Sequence, residues 1–190
     1  AALSLAMPDE NGPVDTAQLK KAQQYVDRMN SEAGQGSAYA DLLQGRIYRM
    51  EGKIVEATKA LEKADKEFNG TNPDVRLRLA ELYQVQRETG LTQKMLASVI
   101  QMAPKYARAY YMAAAVAAQL GDIAEAMAKL DAGLQVDPDN REMLQLKVML
   151  LKASNQRAQV PALEERIGQP ASVAEKLQRA YQSLVEGKPE

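Results

Sequence analysis

Arg46 and Arg49 are the pair of side chains best spaced to bind a charged ligand. They lie three positions apart, which on a helix is one turn along a shared face, and two guanidinium groups there could hold a carboxylate. A solvated charged face is the alternative interpretation of this pair. The chain has no His and no Cys, which excludes histidine-based triads, thiol nucleophiles and the usual zinc sites.

Other patterns that carry chemistry are missing from the sequence. Neither a phosphate-binding loop of the P-loop type nor a dinucleotide-binding fingerprint occurs. The stretch DPDNRE lacks the length and the glycine of a calcium loop, so we interpret it as a turn between helices. The stretches MLASVIQM and MLQLKVMLL are explained by core packing, with an adaptable binding surface as the alternative for some Met side chains. We therefore expect no enzyme, no cofactor and no metal.

The composition favours a helical protein that binds neither nucleic acid nor anionic lipid. The chain has 190 residues, a formal charge of −1, one Phe and no Trp. Its alanine-rich content suits helices with small side chains where they pack together. A nearly neutral chain has no strong field to attract polyanions, and no segment approaches the roughly 20 apolar residues that span a bilayer.

The opening residues, AALSLAMPDENGP, place an apolar stretch before a turn-forming one. Three interpretations stay open, namely the end of a signal peptide's apolar region, the foot of an upstream membrane anchor, and a disordered tail. The first two favour a periplasmic or membrane-associated protein, with the cytoplasm as the next expectation. We expect residues 1–14 to form an extended or disordered lead.

The helices that would position a binding surface have their clearest sequence pattern between Pro104 and Pro138, which are 34 residues apart. Two alanine-rich helical runs lie between these prolines, and Gly121 ends the first of them. Asp122 and Glu125 form a capping box for the second run, and Asn140 can cap the helix that follows. Two helices joined by so short a turn must lie antiparallel.

This pattern recurs along the chain. Steps of 34 or 35 residues from Ala114 lead back to Ala80 and Gly45 and forward to Val148. The step from Ala80 back to Gly45 is one residue longer than the others, and this extra residue falls in the turn FNGTNP. In that turn Asn72 is the expected cap and Pro73 the first helical residue. Four units in register indicate an array in which each hairpin needs its neighbour.

A repeat of this length resembles the tetratricopeptide repeat. We place four repeats at 38–72, 73–106, 107–140 and a degenerate 141–170. The residues that match the family's pattern are Tyr110, Ala114, Gly121, Ala126, Leu130 and Pro138 in the third repeat, Gly45, Tyr48, Gly52, Ala57, Leu61 and Ala64 in the first, and Leu79, Ala80, Tyr83, Leu96 and Pro104 in the second. The resemblance implies an all-α, right-handed superhelical solenoid of antiparallel helix hairpins with N-terminal and C-terminal capping helices.

Several residues depart from the family's pattern. The turn glycine of the second repeat is displaced to Gly90, so we expect its first helix to run a turn longer or its second to start late. Pro161 should interrupt the second helix of the fourth repeat. Polar residues occupy four places where helices should pack, and they are Asp41, Gln44, Lys147 and Glu164.

Two further helices are expected at the ends of the array. A helix over 15–34 carries Leu19, Ala22, Val26 and Met29 along one stripe, with Asp15 and Gln18 as a capping pair. A helix over 171–187 carries the stripe Val173, Leu177, Tyr181 and Leu184. A terminal helix with a polar outer face is what an array requires.

The resemblance also implies where a partner binds, because tetratricopeptide arrays hold peptides in a concave groove lined by the first helix of each repeat. Transferred position by position, the groove consists of Tyr39, Leu42, Arg46, Arg49, Met50, Leu77, Glu81, Gln84, Arg108, Tyr111, Gln119, Gln145, Met149 and Lys152. The same transfer adds Asp74, Val85, Ala115, Ala118, Glu142 and Ala153. The lysine and asparagine clamp of the family's chaperone-tail binders is missing.

We therefore expect a non-catalytic scaffold that binds a peptide or a segment of a partner protein, in a bacterial envelope or secretion assembly. The alternative is a structural module that self-associates through its terminal repeats. The four polar residues at packing positions motivate this alternative, because a poorly sealed unit often has a covering neighbour.

Overall fold

The computed structural model describes residues 16–32 and 37–168, and this part of the chain is all-α, as predicted. Its helices are α1 (Thr16–Glu32), α2 (Ala38–Met50), α3 (Ile54–Glu67), α4 (Pro73–Val85), α5 (Thr89–Met102), α6 (Ala107–Gln119), α7 (Ile123–Val136), α8 (Arg141–Ala153) and α9 (Val160–Gly168). A 3₁₀ turn, Arg157–Gln159, precedes α9. We call α2, α4, α6 and α8 the A helices, and α3, α5, α7 and α9 the B helices.

The chain divides into two compact units, Ala1–Ala103 and Pro104–Glu190. In the first unit α2 packs on α3 and α4 on α5, while α3 packs on α4 and α1 on α2. In the second unit α6 packs on α7 and α8 on α9, while α7 packs on α8 and α6 contacts α8. Each unit is thus a series of helix hairpins, and the limits of the individual repeats stay a prediction.

Side-chain caps start three of the helices, at the residues where the sequence predicts them. Asn72 accepts hydrogen bonds from backbone amides at 3.0 and 3.2 Å, and Pro73 is the first residue of α4. Asp122 accepts one at 2.9 Å at the start of α7, and Asn140 accepts one at 3.1 Å at the start of α8. These bonds satisfy amides that a helix itself leaves without a partner.

The turn from A helix to B helix has the same backbone geometry in every hairpin. A left-handed residue follows each A helix, and its φ is 76° at Gly52, 62° at Arg87, 81° at Gly121 and 58° at Asn155. The expectation that Gly90 displaces the second turn is wrong. Gly90 lies in the first turn of α5, and α4 has 13 residues like α2 and α6, because Arg87 adopts the conformation that glycine would favour.

Small residues bring the helices of a hairpin together. A Cβ atom on Gly45 would lie 2.7 Å from Cγ of Leu61 on α3. Ala80 and Ala114 occupy the same place in α4 and α6, and both have 0% exposure. Large apolar side chains then close each unit around these contacts.

α1 packs on α2 through the stripe that the sequence predicts. Leu19, Ala22 and Val26 are buried against Ile47 and its neighbours, with Met29 half-buried beside them. The stripe of α1 therefore gives α2 a packing partner in addition to α3.

Pro161 does not interrupt a helix, contrary to expectation. α9 begins at Val160, so Pro161 is its second residue. Proline is tolerated in the first turn, where its missing N–H has no partner within the helix. The proline therefore helps to define where α9 starts.

Several expectations concern residues outside the described ranges. They are the lead over 1–14, the cap at Asp15 and the terminal helix over 171–187. Within the described ranges, none of the helices combines the length and the apolar character that crossing a membrane requires.

Replacing Arg87 by Gly should stabilise the protein by about 1 kcal/mol, because a left-handed non-glycine residue is strained by about that amount. Urea unfolding measures the change. The matched control is Gly121→Ala, which has the same backbone geometry and no atom within 4 Å of the added Cβ. Gly121→Ala should destabilise the protein by a similar amount. If the two substitutions changed the free energy of unfolding in the same direction, this account of the turns would be contradicted.

Gly133→Ala should destabilise the protein by about 1–3 kcal/mol, although alanine is the better helix former. The added Cβ would lie 2.5 Å from Sδ of Met143 and 2.8 Å from Cβ of Tyr110. Gly90→Ala is the control, because nothing lies within 4 Å of its Cβ, and it should be neutral or stabilising. Thermal unfolding distinguishes the two, and a stable Gly133→Ala protein would contradict the close packing of α6, α7 and α8.

Tyr83 should make stability depend on alkaline pH. Burial raises the pKa of its phenol, and so does the 2.7 Å hydrogen bond that it donates to Oε1 of Glu62. Because the folded-state pKa exceeds the unfolded value of about 10, the stabilisation is complete below that pH and is lost as pH rises further. Urea unfolding from pH 8 to 11 should show wild type losing its advantage over Tyr83→Phe. A difference in the free energy of unfolding between the two proteins that stays constant over this pH range would contradict a raised pKa of the Tyr83 phenol.

Candidate functional site

Arg49 and Glu81 join the surfaces of two neighbouring A helices in the first unit. Nη1 of Arg49 on α2 lies 2.7 Å from Oε2 of Glu81 on α4, and the side chains are 27% and 12% exposed. The pairing places these two predicted groove residues on one side of the unit. It also shows that Arg49 already binds a carboxylate of the protein itself, so a ligand carboxylate would have to compete with Glu81 or share the guanidinium.

The other predicted residues of α2 differ in their exposure. Tyr39 is 57% exposed, and its ring meets Phe68 edge to face with the ring centres 5.0 Å apart. Arg46 is half-buried and has interactions of its own. Leu42 packs against the cluster between α3 and α4, and Met50 packs against the cluster with α1. This helix therefore offers Tyr39 as its most exposed aromatic contact.

On α4 one predicted residue is not at the surface. Leu77 is only 3% exposed, so it cannot contact a partner without a rearrangement. The reason is that α4 packs on both α3 and α5 and reaches α2 through Glu81, so its apolar residues are buried on more than one face. Gln84 is half-buried, and Val85, at the end of the helix, is 65% exposed.

In the second unit most predicted residues are exposed. Those that face solvent are Arg108, Gln119, Gln145, Met149 and Lys152. Tyr111 is half-buried and packs on a cluster that includes Leu150 of α8. Nζ of Lys152 lies 2.6 Å from Oε1 of Glu164 on α9, so that side chain is directed towards the B helix of its own hairpin.

The polar residues at packing positions of the first unit have partners inside it. Asp41 pairs with Lys63 of α3, with Nζ 2.9 Å from Oδ2. Gln44 and Gln23 of α1 exchange two amide hydrogen bonds of 3.0 and 3.1 Å. Asp41 and Gln44 are therefore explained without a covering neighbour.

The same holds in the second unit. Lys147 forms an ion pair with Asp131 of α7, and Glu164 forms the pair with Lys152 described above. The four polar residues that motivate self-association thus have partners within the chain.

Sequence reasoning missed some surface residues next to the predicted ones. Phe68 pairs with Tyr39, Leu120 is 57% exposed just past α6, and Leu146 is half-buried beside Tyr111 and Ala118. Leu120 could have been found as an apolar residue directly before a turn glycine. The pairing of Tyr39 and Phe68 carries no sequence signal, because the two are 29 residues apart (68 − 39).

An open depression of about 530 Å³ lies elsewhere in the first unit, between α1 and the end of α2. It is lined by Thr16, Leu19, Lys20, Gln23 and Glu51, none of which is a predicted groove residue. In the part of the chain that the structure describes, no three His, Cys, Asp or Glu side chains come together as a metal ion would require.

The sequence and the fold were compared with known proteins. A family model described as Tetratricopeptide repeat matches residues 86–150. No curated protein matches the sequence. A crystal structure of MamA is similar with a TM-score of 0.69 at 16% identity, over 90% of this chain and 99% of that one. YrrB, whose structure is described as a TPR protein with an unusual peptide-binding site, has a TM-score of 0.65 at 18% identity, over 80% of this chain and 77% of that one.

The sequence match lies within the segment from the end of α4 to α8, and the structural similarities extend over most of the chain. At these low identities the similarities show the fold, which is that of helix-hairpin repeats. This fold agrees with the repeat period of the sequence and with the small residues where A and B helices come into contact. It also agrees with the residues that match the family's pattern. Residues 86–150 therefore match the tetratricopeptide-repeat model, and the described chain has the fold of helix-hairpin repeats.

Proposed function

We propose that this protein is a non-catalytic scaffold that holds a peptide or a segment of a partner protein on the exposed faces of its A helices. Tetratricopeptide repeats are in general interaction modules, and YrrB, which shares the fold, is described as having a peptide-binding site. The chain has no His and no Cys, which excludes histidine bases and thiol nucleophiles. The proposal of a binding role rests on the fold and on the exposed side chains of the A helices.

One observation carries the proposal. The ion pair between Arg49 and Glu81 joins α2 to α4, and in the second unit α6 contacts α8. Neighbouring A helices in each unit are therefore close enough for one partner segment to contact both. The surface mixes charged, aromatic and apolar side chains, which suits a segment held by several kinds of contact.

Self-association through the terminal repeats is the alternative proposal, and the residues that motivate it have partners within the chain. The polar residues that suggested it, such as Asp41 and Lys147, are paired inside the chain. A setting in a bacterial envelope or secretion assembly is proposed only on the apolar opening residues.

Photo-crosslinking from matched positions tests the proposed binding surface. The photoreactive residue p-benzoylphenylalanine replaces Gln145 on an A helix or Gln135 on a B helix, two exposed glutamines of the same unit. In the first unit the corresponding positions are Tyr39 and Val55, which are 57% and 55% exposed. After irradiation in an extract of native cells, mass spectrometry should identify the same crosslinked protein from Gln145 and Tyr39, with little from the B-helix positions.

The matched exposure of the positions makes the comparison informative, because random collisions should label both sets alike. Crosslinks formed mainly from Gln135 and Val55 would move the binding surface to the B helices. Crosslinks between two copies of this chain would instead support self-association.

A further inference from the structure

The turn between α3 and α4 contains a chemically labile pair of residues. Asn69 is exposed and is followed directly by Gly70. Asparagine is among the thermolabile residues of proteins, because the backbone nitrogen of the next residue can attack its side-chain amide. A following glycine favours that attack, since no Cβ shields the nitrogen and the backbone rotates freely.

The reaction at such a pair consumes one water molecule and releases ammonia. The Gly70 N–H loses its proton to the solvent, and the nitrogen then forms a bond to Cγ of Asn69. The side-chain nitrogen takes up a proton and leaves as ammonia, so the main chain and the side chain close into a succinimide ring. Water opens this ring at either of its carbonyl carbons. The product is aspartate, or isoaspartate, in which the main chain runs through Cγ.

The folded turn holds the attacking nitrogen in a hydrogen bond. The Gly70 N–H donates to the carbonyl oxygen of Asp65 at 2.8 Å, and the Asn69 N–H donates to that of Lys66 at 3.0 Å. These two bonds form the Schellman motif that ends α3, with Asn69 in the left-handed conformation at a φ of 51°. Because the nitrogen must leave this hydrogen bond before it can lose its proton, the closed turn opposes the reaction.

The side chain of Arg76 covers Gly70. A Cβ atom on this glycine would collide with Nη2 of the guanidinium group. The guanidinium is held in place by Asp65, whose Oδ1 lies 3.0 Å from Nε, and by Ser98 of α5, whose Oγ accepts a hydrogen bond from Nη1. Arg76 therefore ties the turn to α3 and α5 and stabilises its closed form.

We propose that Asn69 is a modification site that is protected while this turn is closed and converts to aspartate and isoaspartate when the turn opens. The conversion requires water and no partner. Since proteins open locally more often than they unfold as a whole, modified Asn69 records openings of the junction between α3 and α4. Isoaspartate adds atoms to the main chain before Gly70, so the Schellman hydrogen bonds do not re-form in register.

Peptide mapping by mass spectrometry measures this conversion. The full chain is incubated at mildly alkaline pH, under native conditions and in urea at a concentration that unfolds it. Conversion replaces an amide by a carboxylate, which raises the mass of the peptide containing residue 69, and chromatography separates its aspartate and isoaspartate forms. We expect the unfolded protein to convert faster than the native protein by about tenfold or more, because two backbone hydrogen bonds must break before the native turn reacts.

Two substitutions in α4 test the role of Arg76. Arg76→Gln removes the guanidinium from Gly70, and Arg78→Gln is the matched control, because Nε of Arg78 also lies 3.0 Å from a carboxylate oxygen, that of Asp74. Under native conditions Arg76→Gln should convert several times faster than wild type, and Arg78→Gln should convert at the wild-type rate. In urea all three proteins should convert alike. Circular dichroism checks that both variants are folded.

Equal rates in the native and the unfolded wild type would overturn the proposal, because the closed turn would then give no protection. Absence of conversion in urea would also overturn it. Equal native rates in Arg76→Gln and Arg78→Gln would remove the role assigned to Arg76. The variant Asn69→Gln should show no mass change in this peptide, and a change that persists there would assign the reaction to another residue.

Discussion

The close approach of two helices within each hairpin is the constraint on which the structure depends. At Gly45 the missing Cβ leaves room for Leu61, and at Gly133 it leaves room for Tyr110 and Met143. A larger side chain at either glycine would force the helices apart and weaken the dispersion contacts of the core. The first three A helices carry a small residue at the same place, namely Gly45, Ala80 and Ala114. All four hairpins share the left-handed turn residue, so each A helix is joined to its B helix in a similar way.

Much of the fold can be predicted from local patterns in the sequence. The spacing of small and large apolar residues predicts the helices, and Asn72, Asp122 and Asn140 cap them as expected. The left-handed turn at Arg87 could not be predicted, because glycine is favoured there and not required. The period of the repeat, which the chain keeps through this turn, is the better guide to where the helix ends.

The binding surface is less accessible to sequence reasoning, since it depends on contacts between distant residues. Transfer from the family places Leu77 on the surface, yet α4 packs on two neighbours and buries it. The partners of Asp41 and Gln44 lie 22 and 21 residues away in sequence, so no local pattern reveals them. A polar residue at a packing position is therefore ambiguous until its partner is known.

The A-helix surfaces of the two units differ in their chemistry. In the first unit the ion pair of Arg49 with Glu81 fixes the direction of a guanidinium group, which favours polar contacts. In the second unit Met149 and Ala118 occupy the equivalent places, and they favour apolar contacts. The two units therefore present different kinds of side chain on equivalent positions of their A helices.

Hydrogen–deuterium exchange of the protein with and without its captured partner tests the central claim most directly. The account predicts slower exchange in the A helices α2, α4, α6 and α8 when the partner is bound, with little change in α3, α5 and α7. Protection confined to those B helices, or a bound complex without protection in any A helix, would contradict it.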